Sequence, residues 1–147
     1  MDVKSYLTGY ADGEGCFCVS FSKSSRHAFG WEIRPSFSVS QNRDRAEVLE
    51  IYKQKFGCGS IRPDRSDNTL KYESRSIKEL VERVIPHFEE TPLLSGKIRD
   101  FEKFAIICKF MYERHHLRKE GFNKIVDLAF AMNPSGSRKY SKEEIKI

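Results

Sequence analysis

Two stretches of this chain alternate with a period of two, and no other feature constrains the fold as tightly. In residues 16–24, Phe17, Val19 and Phe21 point one way while Cys18, Ser20, Ser22 and Ser24 point the other. Residues 31–41 repeat the pattern, with Trp31, Ile33, Pro35, Phe37 and Val39 set against Glu32, Arg34, Ser36, Ser38 and Ser40. Successive side chains of a strand leave opposite faces, so both stretches read as half-buried strands. Lys23 to Gly30, between them, is polar and basic and suits a hairpin loop. Pro35 donates no ladder hydrogen bond and marks an irregularity or a free edge.

The rest of the chain reads mainly as helices. Residues 3–13 place Val3, Tyr6, Leu7 and Tyr10 at helical spacing, and Glu14-Gly15 ends the run, with Gly15 suited to a left-handed turn. Asn42 to Phe56 is a second helix, with Asn42 or Asp44 as cap and Val48, Leu49, Tyr52 and Phe56 on one stripe. Gly57-Cys58-Gly59 breaks it. Ser60 to Pro63 and Thr69 to Arg75 form a shorter hairpin around Asp64-Arg65-Ser66-Asp67-Asn68. Ser76-x-x-Glu79 is a capping box that opens a helix carrying Ile77, Leu80, Val81, Val84 and Phe88. Helices follow from Ser95 to His116 and from Phe122 to Met132, then a loop over residues 133–137. Ser141-x-x-Glu144 caps a last short helix.

This order gives an α+β fold with helices gathered on one face of an antiparallel sheet. The serine and charged strand positions then form an open polar face. The 147 residues suit one domain, and 39% hydrophobic content with 11 Phe and 6 Tyr argues for a packed core.

Composition excludes some classes. Mean hydropathy is −0.57, and no apolar run approaches the ~20 residues of a membrane span. Met1 to Ser5 lacks the basic-then-apolar layout of a secretory signal. Cys16, Cys18, Cys58 and Cys108, with His27, His87, His115 and His116, complete no zinc spacing. Four reduced thiols point to an intracellular, reducing compartment. The +5 charge permits nucleic-acid binding if the cations share a face.

The chemistry gathers in Leu7-Thr8-Gly9-Tyr10-Ala11-Asp12-Gly13-Glu14-Gly15. Two glycines four apart let helix backbones approach closely. Glu14 follows at the helix C-terminus, where the macrodipole favours a cation and the last carbonyls lack intrahelical partners. Two such helices packed in parallel bring two carboxylates together, the arrangement that in-line phosphodiester hydrolysis with divalent metals needs. Asp12, two residues earlier, points elsewhere and reads as fixing the helix end.

This segment resembles the LAGLIDADG motif position by position, with Glu in the final acidic place and Thr8 for the common Ala. The αββαββα order over roughly residues 5–133 is similar to that homing endonuclease family, as are Phe37-Ser-Val-Ser-Gln41 and Pro92-Leu-Leu-Ser-Gly-Lys97-Ile-Arg-Asp100-Phe101. The second of these departs from the family where Gly96 replaces a lysine common in relatives.

The resemblance implies a LAGLIDADG endonuclease domain over 1–147, with a motif helix at about 3–14 and a C-terminal extension at about 117–147. It implies cleavage of double-stranded DNA at a long pseudo-palindromic site, by an intron-encoded enzyme. Glu14 would bind Mg²⁺ with the Gly13 carbonyl nearby, and Gln41 and Lys97 would organise water around the scissile phosphate. Mn²⁺ would substitute, and Ca²⁺ would bind without supporting cleavage. The single motif copy implies a homodimer meeting through Leu7, Gly9, Tyr10 and Gly13. The host would be an organelle or a prokaryotic cytoplasm. Candidate DNA contacts are Ser20, Ser22, Ser24, Arg26, Glu32, Arg34, Ser36, Ser38 and Ser40, extended by Arg62, Lys71, Glu73 and Arg75. Two other readings use the same fold: a maturase that binds its host intron RNA, and a DNA-binding regulator that does not cut.

Overall fold

The computed structural model describes residues 1–65, 68–133 and 138–147. Helix α1 (Val3–Glu14) leads directly into β1 (Gly15–Lys23), which hairpins into β2 (Trp31–Asn42). Helix α2 (Glu47–Phe56) follows, then β3 (Ser60–Pro63) and β4 (Thr69–Ser74). Next come α3 (Ile77–Glu79), a π turn (Leu80–Val84), α4 (Ile85–Glu90), α5 (Lys97–Tyr112), α6 (Lys119–Phe130) and α7 (Lys142–Ile145). The sheet is antiparallel in the order β1-β2-β4-β3.

Both strands keep the alternation read from sequence. Phe17, Val19 and Phe21 of β1 and Ile33, Phe37 and Val39 of β2 are buried. The Phe17 ring lies 5.1–5.4 Å from those of Phe37, Phe88, Phe101 and Phe104. Phe37 continues the cluster to Tyr52, Phe56 and Tyr72. All the helices that feed this cluster therefore cover one face. Tilted and edge-on rings at these separations add about 0.5–1.5 kcal/mol per pair to the burial of their area.

Several local expectations change. Neither Asn42 nor Asp44 caps α2: a 3₁₀ turn over Arg43–Arg45 comes first, and the cap position is Ala46, without a side-chain bond. The helix predicted over Ser95 to His116 is α5, which stops at Tyr112; Arg114 then takes a left-handed φ of 67° before a 3₁₀ turn at His115–Leu117. The helix expected through Phe88 is interrupted by the π turn. Pro86, in the first turn of α4, gives no N–H and crowds the carbonyl four residues back, and the wider turn before it relieves both problems. Gly57 ends α2 with φ 68°. Ser76 accepts from the Glu79 amide, and Ser141 with Glu144 forms the complete reciprocal box. Pairing with β4 covers only Phe37 to Asn42, so Pro35 has a strand on one side alone. Of the predicted loops, residues 66–67 and 134–137 lie outside the described residues.

The outer edge of β1 is covered by side chains from the C-terminal segment. Asn133 Nδ2 donates to the Phe17 carbonyl at 3.0 Å, and the Arg138 guanidinium donates to those of Val19 (2.7 Å) and Ala129 (2.6 Å). Unpaired strand edges invite pairing with other chains, and these bonds close this one. Among the described residues, no helix is long and apolar enough to cross a membrane.

Helix α1 is fixed to this body by Leu7, Thr8 and Ala11. The Thr8 hydroxyl donates to the Thr91 carbonyl at 2.8 Å, so it accepts from His87 Nε2 at 3.0 Å, and the neutral ring carries its proton there. Burial, then the nearby Lys4 ammonium, hold this imidazole below its ordinary value. The unfolded chain therefore takes up the proton first, and stability falls as pH drops below about 6.5. The urea midpoint should decrease between pH 7 and pH 5. His87→Gln, which keeps an N–H for Thr8, should show a smaller decrease; the remainder includes His116, shifted the same way by burial. An unchanged pH dependence in the variant would exclude His87 as a source.

Candidate active site and nucleic-acid interface

Glu14 is the last residue of α1, and its side chain is exposed. Gly15 is not left-handed as expected: its φ of −81° and ψ of 162° are already those of β1, paired with Val39. Glycine is needed there for space, because a Cβ would lie 2.8 Å from the Ala11 carbonyl oxygen. Helix and strand thus join with no loop between them.

Two contacts tie this joint to the start of α5. Asp12 accepts from the amides of Leu94 and Ser95, both at 2.9 Å, and from the Ser95 hydroxyl. In return, Lys97 Nζ donates to the carbonyls of Ala11 (2.9 Å) and Gly15 (2.5 Å). Burial by itself would raise the Asp12 carboxyl, but the bonds from Ser95 and Leu94 outweigh it and hold the group below its usual range. Asp12 is structural, as its place in the motif suggests, though it holds a second helix as well as its own end. Gln41 reaches the same helix: its amide donates to the Tyr10 hydroxyl, and its oxygen accepts from the Asn42 amide at 2.7 Å. Glu14, Gln41 and Lys97 therefore all attach to α1 or its last turn.

The opposite side of α1 is open. A Cβ added at Gly9 or Gly13 would meet nothing within 4 Å. Val3 (41% exposed) and Tyr6 (37%) extend this stripe, and Tyr10 packs beside Tyr6 at 6.0 Å between rings. Leu7 does not belong to it. It is 0% exposed within its own subunit's core, because residues 7, 8 and 11 form the inward stripe.

Cross-strand register assembles the polar sheet face. Ser22 faces Glu32, Ser20 faces Arg34, and Cys18 faces Ser36. A four-strand row joins Cys16, Ser38, Glu73 and Ser60, and the next row joins Ser40, Lys71 and Arg62. Cys16, Cys18 and Ser60 were not among the expected contacts, although strand parity alone puts them on this face. Ser38 is only 8% exposed, because strands flank it on both sides. Ser24 bonds His27 Nδ1 at 2.7 Å in the hairpin loop, where Arg26 is exposed. Glu32 lies 4.0 Å from Arg34 and accepts from Ser22. Glu73 is the hub: Arg62 lies at 3.0 Å, Lys71 at 3.9 Å and Arg75 at 3.9 Å, with the carboxylate itself 10% exposed.

Exposed carboxylate oxygen and helix-end carbonyls are hard donors suited to Mg²⁺ or Ca²⁺. Among the described residues, no three His, Cys, Asp or Glu side chains gather as a metal cluster. One chain thus offers the Glu14 carboxylate and neighbouring carbonyls, hard oxygen donors of the kind such a cation takes but too few to enclose it.

The LAGLIDADG endonuclease family model matches residues 7–108, and the chain belongs to that family. A probable intron-encoded endonuclease of Neurospora crassa is 32% identical over 130 residues, covering 88% of this chain. The chain spans only 29% of that relative's own length. The archaeal intron-encoded homing endonuclease I-Vdi141I, solved in complex with DNA, superposes with a TM-score of 0.89 at 28% identity, covering 97% of this chain and 91% of its own. I-SmaMI, solved on an uncleaved DNA target with calcium ions, gives 0.86 at 28% identity, covering 95% of this chain and 47% of its own.

Neutralising Glu73 should unmask three cations together. Glu73→Gln should therefore elute from a heparin column at clearly higher salt than Glu102→Gln, which makes the same change in net charge on α5. Equal elution would mean that Glu73 does not restrain its neighbours.

Proposed function

We propose that this chain is a sequence-specific, divalent-metal-dependent endonuclease of double-stranded DNA, encoded by an intron and working as a homodimer. Residues 1–147 act as one endonuclease domain, with 117–147 as an extension that covers the β1 edge. The observation that carries this reading is the Lys97 ammonium held on the carbonyls of Ala11 and Gly15, at the end of the helix that carries Glu14 and whose other face is open and lined by glycine. Family membership and the DNA-bound relatives support it.

A second copy packed on Gly9 and Gly13 brings two α1 C-termini together, each with its Glu14. The contact surface is Val3, Tyr6, Gly9, Tyr10 and Gly13. The cation supplies charge neutralisation at the phosphate and eases ionisation of the attacking water. This chain's own residues do the positioning. Glu14 and neighbouring carbonyls would hold the cation, Lys97 puts a positive charge beside that helix end, and Gln41 with Tyr10 fixes the end of β2 against the helix. The nine residues of β1 span about 30 Å, close to one duplex turn of ~34 Å. Such a ribbon enters the major groove. Arg34 on β2 and the cations around Glu73 must exchange their carboxylate partners for DNA.

The intron-RNA reading is less favoured. The strand aromatics Phe17, Phe21, Trp31, Phe37 and Tyr72 all lie on the buried face, away from any base they would stack upon.

Wild type should cut a DNA library at one near-palindromic site with Mg²⁺ and not with EDTA. Glu14→Gln should lose at least about a hundred-fold in cleavage while its DNA affinity in Ca²⁺ stays close to wild type. Equal cutting by that variant would remove Glu14 from the mechanism, and binding without cutting by wild type would favour a regulator. A Cβ at Gly13 meets nothing within 4 Å in the single subunit, so Gly13→Leu tests the open face rather than the fold. It should therefore keep its circular dichroism spectrum yet sediment as a monomer. A tight dimer from that variant would place the interface elsewhere.

A further inference from the structure

We propose that Asp12 is a positioning residue: it sets the place of the Lys97 ammonium through Ser95, and the reaction depends on it although it touches neither DNA nor cation. This rests on the reading of Lys97 as a group that acts at the phosphate.

The bonds form a closed ring. Asp12 accepts from the Ser95 hydroxyl, and the same oxygen accepts from the Lys97 amide at 3.2 Å. The Asp12 carboxylate also holds the amides of Leu94 and Ser95. Lys97 Nζ closes the ring on the carbonyls of Ala11 and Gly15, on either side of Asp12 and Glu14. Each link is short and directional, so Lys97 is fixed both at its backbone and at the tip of its side chain.

Electrostatics favours the same arrangement. Gly96, the cap position of α5, makes no side-chain cap bond. The Asp12 charge sits beside the positive end of the 16-residue α5, and the Lys97 charge sits on the negative end of the 12-residue α1. Each helix therefore supplies the charge that the other's terminus attracts. A carboxylate needed only to end α1 has no reason to reach across to α5. The end of α1 already has a backbone bond of its own, since the Gly15 amide donates to the Ala11 carbonyl. Lys97, with four rotatable side-chain bonds, loses its fixed position without a hydroxyl to anchor its backbone and carbonyls to receive its ammonium.

The test compares wild type, Asp12→Ala, Ser95→Ala, Lys97→Met and the Asp12→Ala/Lys97→Met double variant. Reductive methylation read by mass spectrometry reports the accessibility of the Lys97 amine without reference to cleavage. Asp12→Ala should raise methylation of Lys97 about five-fold or more as its local opening becomes easier, and Ser95→Ala should raise it by less. Single-turnover cleavage by Asp12→Ala should slow about ten-fold or more, with DNA affinity in Ca²⁺ unchanged. In the Lys97→Met background, Asp12→Ala should add no further loss, because both remove one linked unit. Unchanged Lys97 methylation in Asp12→Ala, or losses that multiply in the double variant, would overturn the proposal. If Asp12→Ala fails to fold, Ser95→Ala decides alone, since it keeps the carboxylate's two amide bonds and breaks only the middle link. A wild type that cuts no DNA would defeat the nuclease reading and leave the methylation arm to decide the positioning.

Discussion

The Phe17 ring holds two strands and two helices against one another. Rings from β2, α4 and α5 lie within 5.1–5.4 Å of it. Because Phe17 must face inward, Cys16 and Cys18 must face outward, and the strand's two-residue period carries that choice to Ser20 and Ser22. Phe17 also lies only three residues beyond Glu14, where α1 ends. The packing of one aromatic side chain therefore fixes both the orientation of the polar face and the place where Glu14 emerges.

The polar groups divide into those that hold the body together and those left toward solvent. Thr8, His87 and Asp12 are spent on fixing helices, each with its partners satisfied inside the chain. Glu73 and Glu32 occupy an intermediate position. They hold cations in place on the sheet face, so another anion reaches those cations only by displacing a carboxylate. Glu14 is left exposed at a helix end that favours positive charge. The folded chain leaves a carboxylate and an apolar, glycine-lined stripe uncovered side by side.

Period and punctuation made most of the architecture legible. The two long strands, the glycine break at Gly57 and the serine caps at Ser76 and Ser141 each follow from local chemistry that tertiary packing then agrees with. What was misread depended on packing that the local pattern does not show. Gly15 looked like a turn residue because its real reason, the nearness of Ala11, is a matter of space rather than of φ. Leu7 looked available to a partner because a helical stripe shows spacing without showing which stripe the body covers. Ser38 alternates correctly yet is shut in by neighbours on both sides. At the candidate site, the places of Glu14 and Asp12 in the last turn of α1 were legible from the motif, but the bonds from Lys97 to carbonyls 82 and 86 residues away were not.

The direct passage from α1 to β1 has a further consequence. With no loop at the joint, one residue inserted between Glu14 and Phe17 would turn every β1 side chain onto the opposite face, sending the serines into the aromatic cluster and the phenylalanines into solvent. Descendants of this chain can thus change their surface only residue by residue, never by sliding the strand. The Ser and Arg positions are free to drift, while the joint that precedes them is held to its length.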